Sequence, residues 1–141
     1  MGEEPGWRGF ALPGLQATRS PLLSTAILAV LVTIWHLPLF YVEGGSLSLP
    51  TVVGGVTGPF AFTFVATWLF NHTFGSVLMT IILHGAEGSV RTQGWVYSGL
   101  WMILATGLVI FDWKSWRSPA PPAATTPLPE QPPKSSPRTA T

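Results

Sequence analysis

Glu3, Glu4, Arg8, His36 and His84 are the residues of this sequence whose types suit hydrolytic chemistry. Two histidines and a carboxylate serve either of two chemistries. They can hold a divalent metal such as zinc, with Glu4, His36 and His84 as the candidate ligands, or they can act as a metal-free general base that activates water. Spacing alone leaves both open. Glu4 and Arg8 stand at i, i+4, one turn apart on a helix, so the arginine can hold one carboxylate ionised while Glu3 points elsewhere. The plainer reading of the same spacing is an exposed ion pair near a chain end, which contributes little. His36 alone reads equally as a side chain snorkelling near a helix end. Glu87 reads as the partner of Arg91 at i, i+4, and His72 as a solvated turn residue.

The elements that must position these groups follow from composition. Of 141 residues, 47% are hydrophobic and 9% charged, too few charges to cover the surface of a soluble domain. Between Pro21 and Phe111 the formal charges are Glu43, Glu87 and Arg91. The spacing predicts an all-α, polytopic membrane helical bundle with about four transmembrane helices, near 22–41, 50–70, 74–89 and 95–111. Ahead of them, residues 1–20 read as an N-terminal amphipathic or partial helix distorted at Pro13 and Gly14, with Ser20-Pro21 starting the first span. Glycines early in the second span favour close helix packing, and 71–73 reads as a turn. The Trp and basic residues of 112–117 read as an interfacial anchor. One domain, 1–113, is expected, followed by a disordered Pro/Ser/Thr-rich tail, 114–141. A net charge of +1 without a basic run argues against nucleic acid as a partner. The absence of cysteine removes disulfides, zinc–thiolate sites and thiol nucleophiles. No secretory signal is evident.

Topology brings the polar residues together. Glu4 and His36 each lie sixteen residues from Ser20. Two antiparallel helices would therefore raise both about 24 Å above that turn. His36 and His84 are each near the same end of spans that run in the same direction, so Glu4, His36 and His84 can share one depth. An ionisable group left facing lipid costs about 2.5–3.5 kcal/mol, so a shared depth calls for a shared site.

At these residues the sequence resembles the CPBP family of intramembrane proteases, the CAAX-protease and bacteriocin-processing or Abi family. Glu3-Glu4-Pro5-Gly6-Trp7-Arg8 matches its first motif and is followed by Gly9-Phe10-Ala11-Leu12-Pro13. Trp35-His36-Leu37-Pro38 matches the second. The run from Asn71 through Gly75-Ser76 to His84 matches the third. Order and spacing agree over about residues 3–110.

The resemblance implies an intramembrane endopeptidase, of CAAX-processing or peptide-maturation type, that acts on a peptide or membrane-protein substrate. It implies that Glu3 or Glu4 activates water with His36, that His84 helps bind or polarise, and that Arg8 orients the glutamates. Whether a divalent metal takes part stays open. The sequence departs from the family at Val32, where an aromatic is usual, and at Gly88, where asparagine or another small polar residue is usual. Family members carry several spans before the first motif, so an N-terminally truncated core is expected. The alternative is a catalytically inactive membrane scaffold, or a bacteriocin-immunity protein, with the same fold. Arg19, Lys114, Arg117, Lys134 and Arg138 fall on one side, against Arg8 and Arg91 on the other. A multi-pass protein of a bacterial plasma membrane with a cytoplasmic C-terminal tail is therefore expected.

Overall fold

The computed structural model describes residues 2–42, 48–89 and 95–118. The fold is an all-helical membrane bundle, with no strand among the described residues. Short helix α1 (Glu4–Gly6) passes through a π-helical turn (Trp7–Ala11) into α2 (Leu12–Gln16). Then follow α3 (Pro21–Val42), α4 (Leu49–His72), α5 (Val77–Ser89), α6 (Trp95–Phe111) and α7 (Trp113–Arg117). The segments 43–47, 90–94 and 119–141 lie outside the described residues. They include Arg91, its expected pairing with Glu87, and almost all of the expected tail.

Helix α3 starts as the Ser20-Pro21 pair predicts. The Leu23 N–H donates to the Ser20 hydroxyl at 3.4 Å, and Pro21 occupies the first turn, where its missing N–H costs nothing. The helix then runs through Pro38 to Val42. Helices α3 and α4 are long and apolar enough to cross a bilayer, over Pro21–Pro38 and Leu49–His72. Helices α5 and α6 are shorter apolar helices, over Val77–Gly88 and Trp95–Phe111. Two of the four expected spans thus have full spanning length.

Helix α4 is the centre of the bundle and packs against α3, α5 and α6. Its contact with α6 depends on small residues: the Ser98 hydroxyl donates to the Gly54 carbonyl at 3.0 Å, and a Cβ at Gly58 would stand 3.2 Å from the Ser98 oxygen. A side chain at position 58 would require Ser98 to give way by a few tenths of an ångström. Ala61, Val65 and Ala105 form the core of that interface, with Phe64, Leu83 and Trp101 around it.

The N-terminal segment lies against α3 and α5. Leu12, Leu28, Val32 and Phe70 form its buried core, flanked by Trp7, Ala11, Leu15 and Val77. Burying such side chains contributes about 1.5–3 kcal/mol each. The distortion expected at Pro13 and Gly14 instead falls one turn earlier, at Trp7–Ala11, where the Leu12 N–H reaches the Trp7 carbonyl. Pro13 has no N–H to give the Gly9 carbonyl, and the wider turn absorbs that mismatch.

The turn after α4 comprises Thr73–Gly75 rather than 71–73, because Asn71 and His72 complete the helix. The Gly75 N–H closes it on the Phe70 carbonyl at 3.0 Å, with Phe74 at φ 55° and Gly75 at φ 76°. At the far end, residues 114–117, assigned to the tail from sequence, belong to α7. Trp116 is buried there, donating its indole N–H to the Leu108 carbonyl at 3.2 Å.

Candidate active site

The two glutamates stand at the entrance to α1, and the helical phase of Glu4–Gln16 decides where each points. Glu4 is fully buried, and Arg8, one turn on, is 1% exposed. Their side chains meet at 2.8 Å. The surface reading of this pair is therefore corrected: both charges are out of water, and they are tolerable only because they are paired. The Glu4 Oε1 atom also accepts from His84 Nδ1 at 2.8 Å. Phe62 of α4 lies beneath both partners, with the Arg8 guanidinium 5.7 Å from its ring centroid and the His84 ring at 5.2 Å.

Glu3 points the other way. Its Oε2 lies 3.8 Å from His36 Nε2, too long for a direct hydrogen bond, and has no hydrogen-bond partner although it is buried. Its Oε1 accepts from the Trp35 indole at 3.3 Å. Convergence of the glutamate pair with both histidines is as the helical hairpin predicts, but the partners divide: Glu3 faces His36, and Glu4 faces His84.

Acceptors fix which nitrogen of each histidine carries hydrogen. His36 Nδ1 is 2.8 Å from the Val32 carbonyl, and His84 Nδ1 is 2.8 Å from the Glu4 carboxylate. Neither oxygen can donate, so Nδ1 is protonated in both rings, and Nε2 is the nitrogen each ring leaves for chemistry. Val32, where the family usually has an aromatic, is 3% exposed and supplies the carbonyl that orients His36. Gly88, one turn after His84, has nothing within 4 Å of a would-be Cβ.

Residues 1–90 match the family described as type II CAAX prenyl endopeptidase Rce1-like. The chain belongs to that family. This agrees with the resemblance read from the Glu-Glu-Arg and Trp-His motifs, both of which lie inside the matched region. Among curated proteins the Rce1-like chain is similar to a CAAX prenyl protease 2 of Methanococcus maripaludis, 23% identical over 125 residues. That alignment covers 79% of this chain and 46% of the relative, so the chain spans about half the length of the protein it matches. No solved structure matches it.

In this Rce1-like chain, no group of three or more histidine, aspartate or glutamate side chains is placed to hold a metal ion among the described residues. His36 Nε2 faces Glu3 while His84 Nδ1 is bonded to Glu4 Oε1, and Glu4 Oε2 has no hydrogen-bond partner, so Glu4, His36 and His84 are not gathered as one ligand set in this arrangement.

Sequence reasoning missed Phe62 as part of the site, and Trp35 entered only as a member of the second motif, with no role beside Glu3. Phe60, Phe62 and Phe64 alternate along α4 with nothing to separate them in sequence, and only packing selects Phe62. It also missed the partner of His72. At the opposite end of α4, His72 Nε2 lies 2.8 Å from Asp112 Oδ2, its Nδ1 lies 2.8 Å from the Trp68 carbonyl, and its ring stacks on Trp68. The Trp68 indole also donates to Asp112 at 3.2 Å. Hydrogen bonding by Ser115, then by Trp68 and His72, holds the Asp112 carboxyl below its ordinary value. Glu87 engages Tyr97 of α6.

Proposed function

We propose that this chain is the catalytic core of an intramembrane endopeptidase whose Glu3 is the general base. The observation that carries the reading is the division of labour between the two glutamates. Glu4 is fully buried with its Oε1 tied to both Arg8 and His84, whereas Glu3 is a third exposed and presents a partnerless Oε2 3.8 Å from His36 Nε2; the Oε2 of Glu4 also lacks a hydrogen-bond partner, but its carboxylate is shut away from substrate.

Water held between Glu3 and His36 loses a proton to Glu3 Oε2 as its oxygen attacks the scissile carbonyl carbon. The carbonyl oxygen becomes the oxyanion. His84, oriented by Glu4, presents Nε2 to the site, and when its ring is doubly protonated that position donates to the oxyanion. The tetrahedral intermediate collapses as the C–N bond breaks, and Glu3 returns its proton to the leaving amine. Arg8 holds the Glu4 carboxylate in place. No step uses a metal.

The family description and the name of the Methanococcus relative point to peptides bearing a C-terminal prenylated CAAX sequence as the substrate class. Arg19 precedes α3, and Asp112, just ahead of α7, pairs with His72 at the end of α4, whereas Glu3 faces Trp35 and His36 late in α3, so Arg19, Lys114 and Arg117 stand at the end of the bundle away from Glu3. By the positive-inside tendency we read that end, and with it the C-terminal tail of a multi-pass protein, as cytoplasmic. Gly88 supplies no side-chain donor beside His84, and this chain covers 46% of its relative; both features favour the alternative, an inactive scaffold.

The test is cleavage of prenylated and unprenylated CAAX peptides by the chain in liposomes, with Glu3→Ala and His36→Ala as controls and a chelator arm. Cleavage lost in both variants and unaffected by chelator supports the mechanism. A folded wild-type chain that cleaves neither peptide points to the scaffold, and loss with chelator alone points to a metal.

A further inference from the structure

Glu3 has no fixing contact within its own segment. It precedes the first turn of α1 and makes no side-chain cap hydrogen bond, so three side-chain torsions are left to be set from outside. The group that sets them comes from 32 residues away: Trp35 donates its indole N–H to Glu3 Oε1 at 3.3 Å. The indole nitrogen is a donor only, so this bond cannot reverse its sense. His36, the next residue on α3, stands 3.8 Å from the other oxygen. Successive helical residues point about 100° apart, so Trp35 and His36 address the carboxylate from two directions.

The indole is itself held. Its ring meets Trp7 edge-on, with centroids 6.4 Å apart and planes at 74°. Trp7 in turn packs on the Leu12, Leu28, Val32 and Phe70 core. Rigidity therefore runs from the core through Trp7 and Trp35 to one oxygen of Glu3.

The geometry points to Trp35 as a positioning residue for Glu3: its N–H pins Oε1 and so makes Oε2, the atom facing His36, the proton acceptor. This rests on the reading of Glu3 as general base. Without the indole the carboxylate turns freely and its basic oxygen leaves the line to His36. That misplacement slows the chemical step and leaves substrate binding alone.

The experiment has two arms on the full chain in detergent micelles. In the first, indole nitrogens are labelled with ¹⁵N and the Trp35 signal is assigned as the one lost in Trp35→Phe. Glu3→Ala is expected to shift that signal more than any other indole signal. In the second, Trp35→Phe is expected to lower kcat on the cleaved peptide roughly 10- to 100-fold, the value of a hydrogen bond to a charged group, with KM and melting temperature unchanged. A Trp35 signal indifferent to Glu3 overturns the contact. A responsive signal with unchanged kcat, or with KM raised instead, overturns the positioning role. A folded wild-type chain without peptidase activity overturns the general-base reading and the catalytic consequence with it, while the first arm still reports whether Trp35 holds Glu3.

Discussion

Glu4 and His84, 80 residues apart in sequence, are joined at 2.8 Å through a carboxylate that water does not reach. That bond ties the N-terminal segment to α5 and fixes the histidine ring. Glu4→Gln keeps an acceptor but removes the charge that offsets Arg8, whereas Glu4→Ala removes both. The alanine variant is expected to lose about 3–5 kcal/mol, the cost of leaving a buried charge unpaired, seen as a large fall in melting temperature in detergent. The glutamine variant is expected to fold with a smaller loss and to cleave poorly. Equal melting temperatures for wild type and Glu4→Ala would show that the pair is not buried as described.

Glu3 has a different profile. Glu3→Gln removes the base without breaking the buried Glu4–Arg8 pair, so the expected result is a melting temperature close to wild type with kcat down roughly 10²- to 10⁴-fold. His36→Asn should fall in the same range. If Glu3→Gln retained full turnover, Glu4 would have to be the base despite its two partners.

Gly88 is the position at which this chain can be improved. A side chain there meets open space, and one helical turn separates it from His84. Gly88→Asn is expected to raise kcat roughly tenfold or more by supplying an amide donor toward the oxyanion. Gly88→Ala, which relieves helix entropy without a donor, should raise stability by about 0.5–1 kcal/mol and leave turnover alone. Matching kinetics for the two variants would remove Gly88 from the site.

The Asp112 carboxyl, held below its ordinary value of 3.8 by Ser115, Trp68 and His72, gives a pH-dependent prediction. A depressed folded-state value stabilises the fold above the unfolded value of about 3.9 and loses that contribution as pH falls through the folded one. Melting temperature is expected to drop on acidification below about pH 4. In Asp112→Asn it should start lower at neutral pH and lose this part of the acid dependence. A variant curve parallel to wild type would dismiss the contribution.

Legibility in the sequence followed the physics. The apolar runs announced the helices, because few arrangements bury so much hydrophobic sequence with so little charge. Ser20-Pro21 announced the start of α3 because the cap is local. The meeting of Glu3 and Glu4 with His36 and His84 was legible as topology and as a family pattern. Which glutamate faces which histidine was not, since that depends on helical phase through Trp7–Ala11, where the repeat is no longer 3.6. Phe62 and the His72–Asp112 pair were hidden for a related reason. Each contact joins helices distant in sequence, and no local pattern encodes which neighbour a side chain meets.

The widened turn at Trp7–Ala11 makes the site depend on a residue count as well as on residue types. Deleting one residue from that stretch would let it relax to an ordinary α-helix and would rotate everything ahead of it by about 100°. Both carboxylates would swing away from their histidines although every side chain of the site was still present. Within these five positions the chain can change its letters more safely than its length.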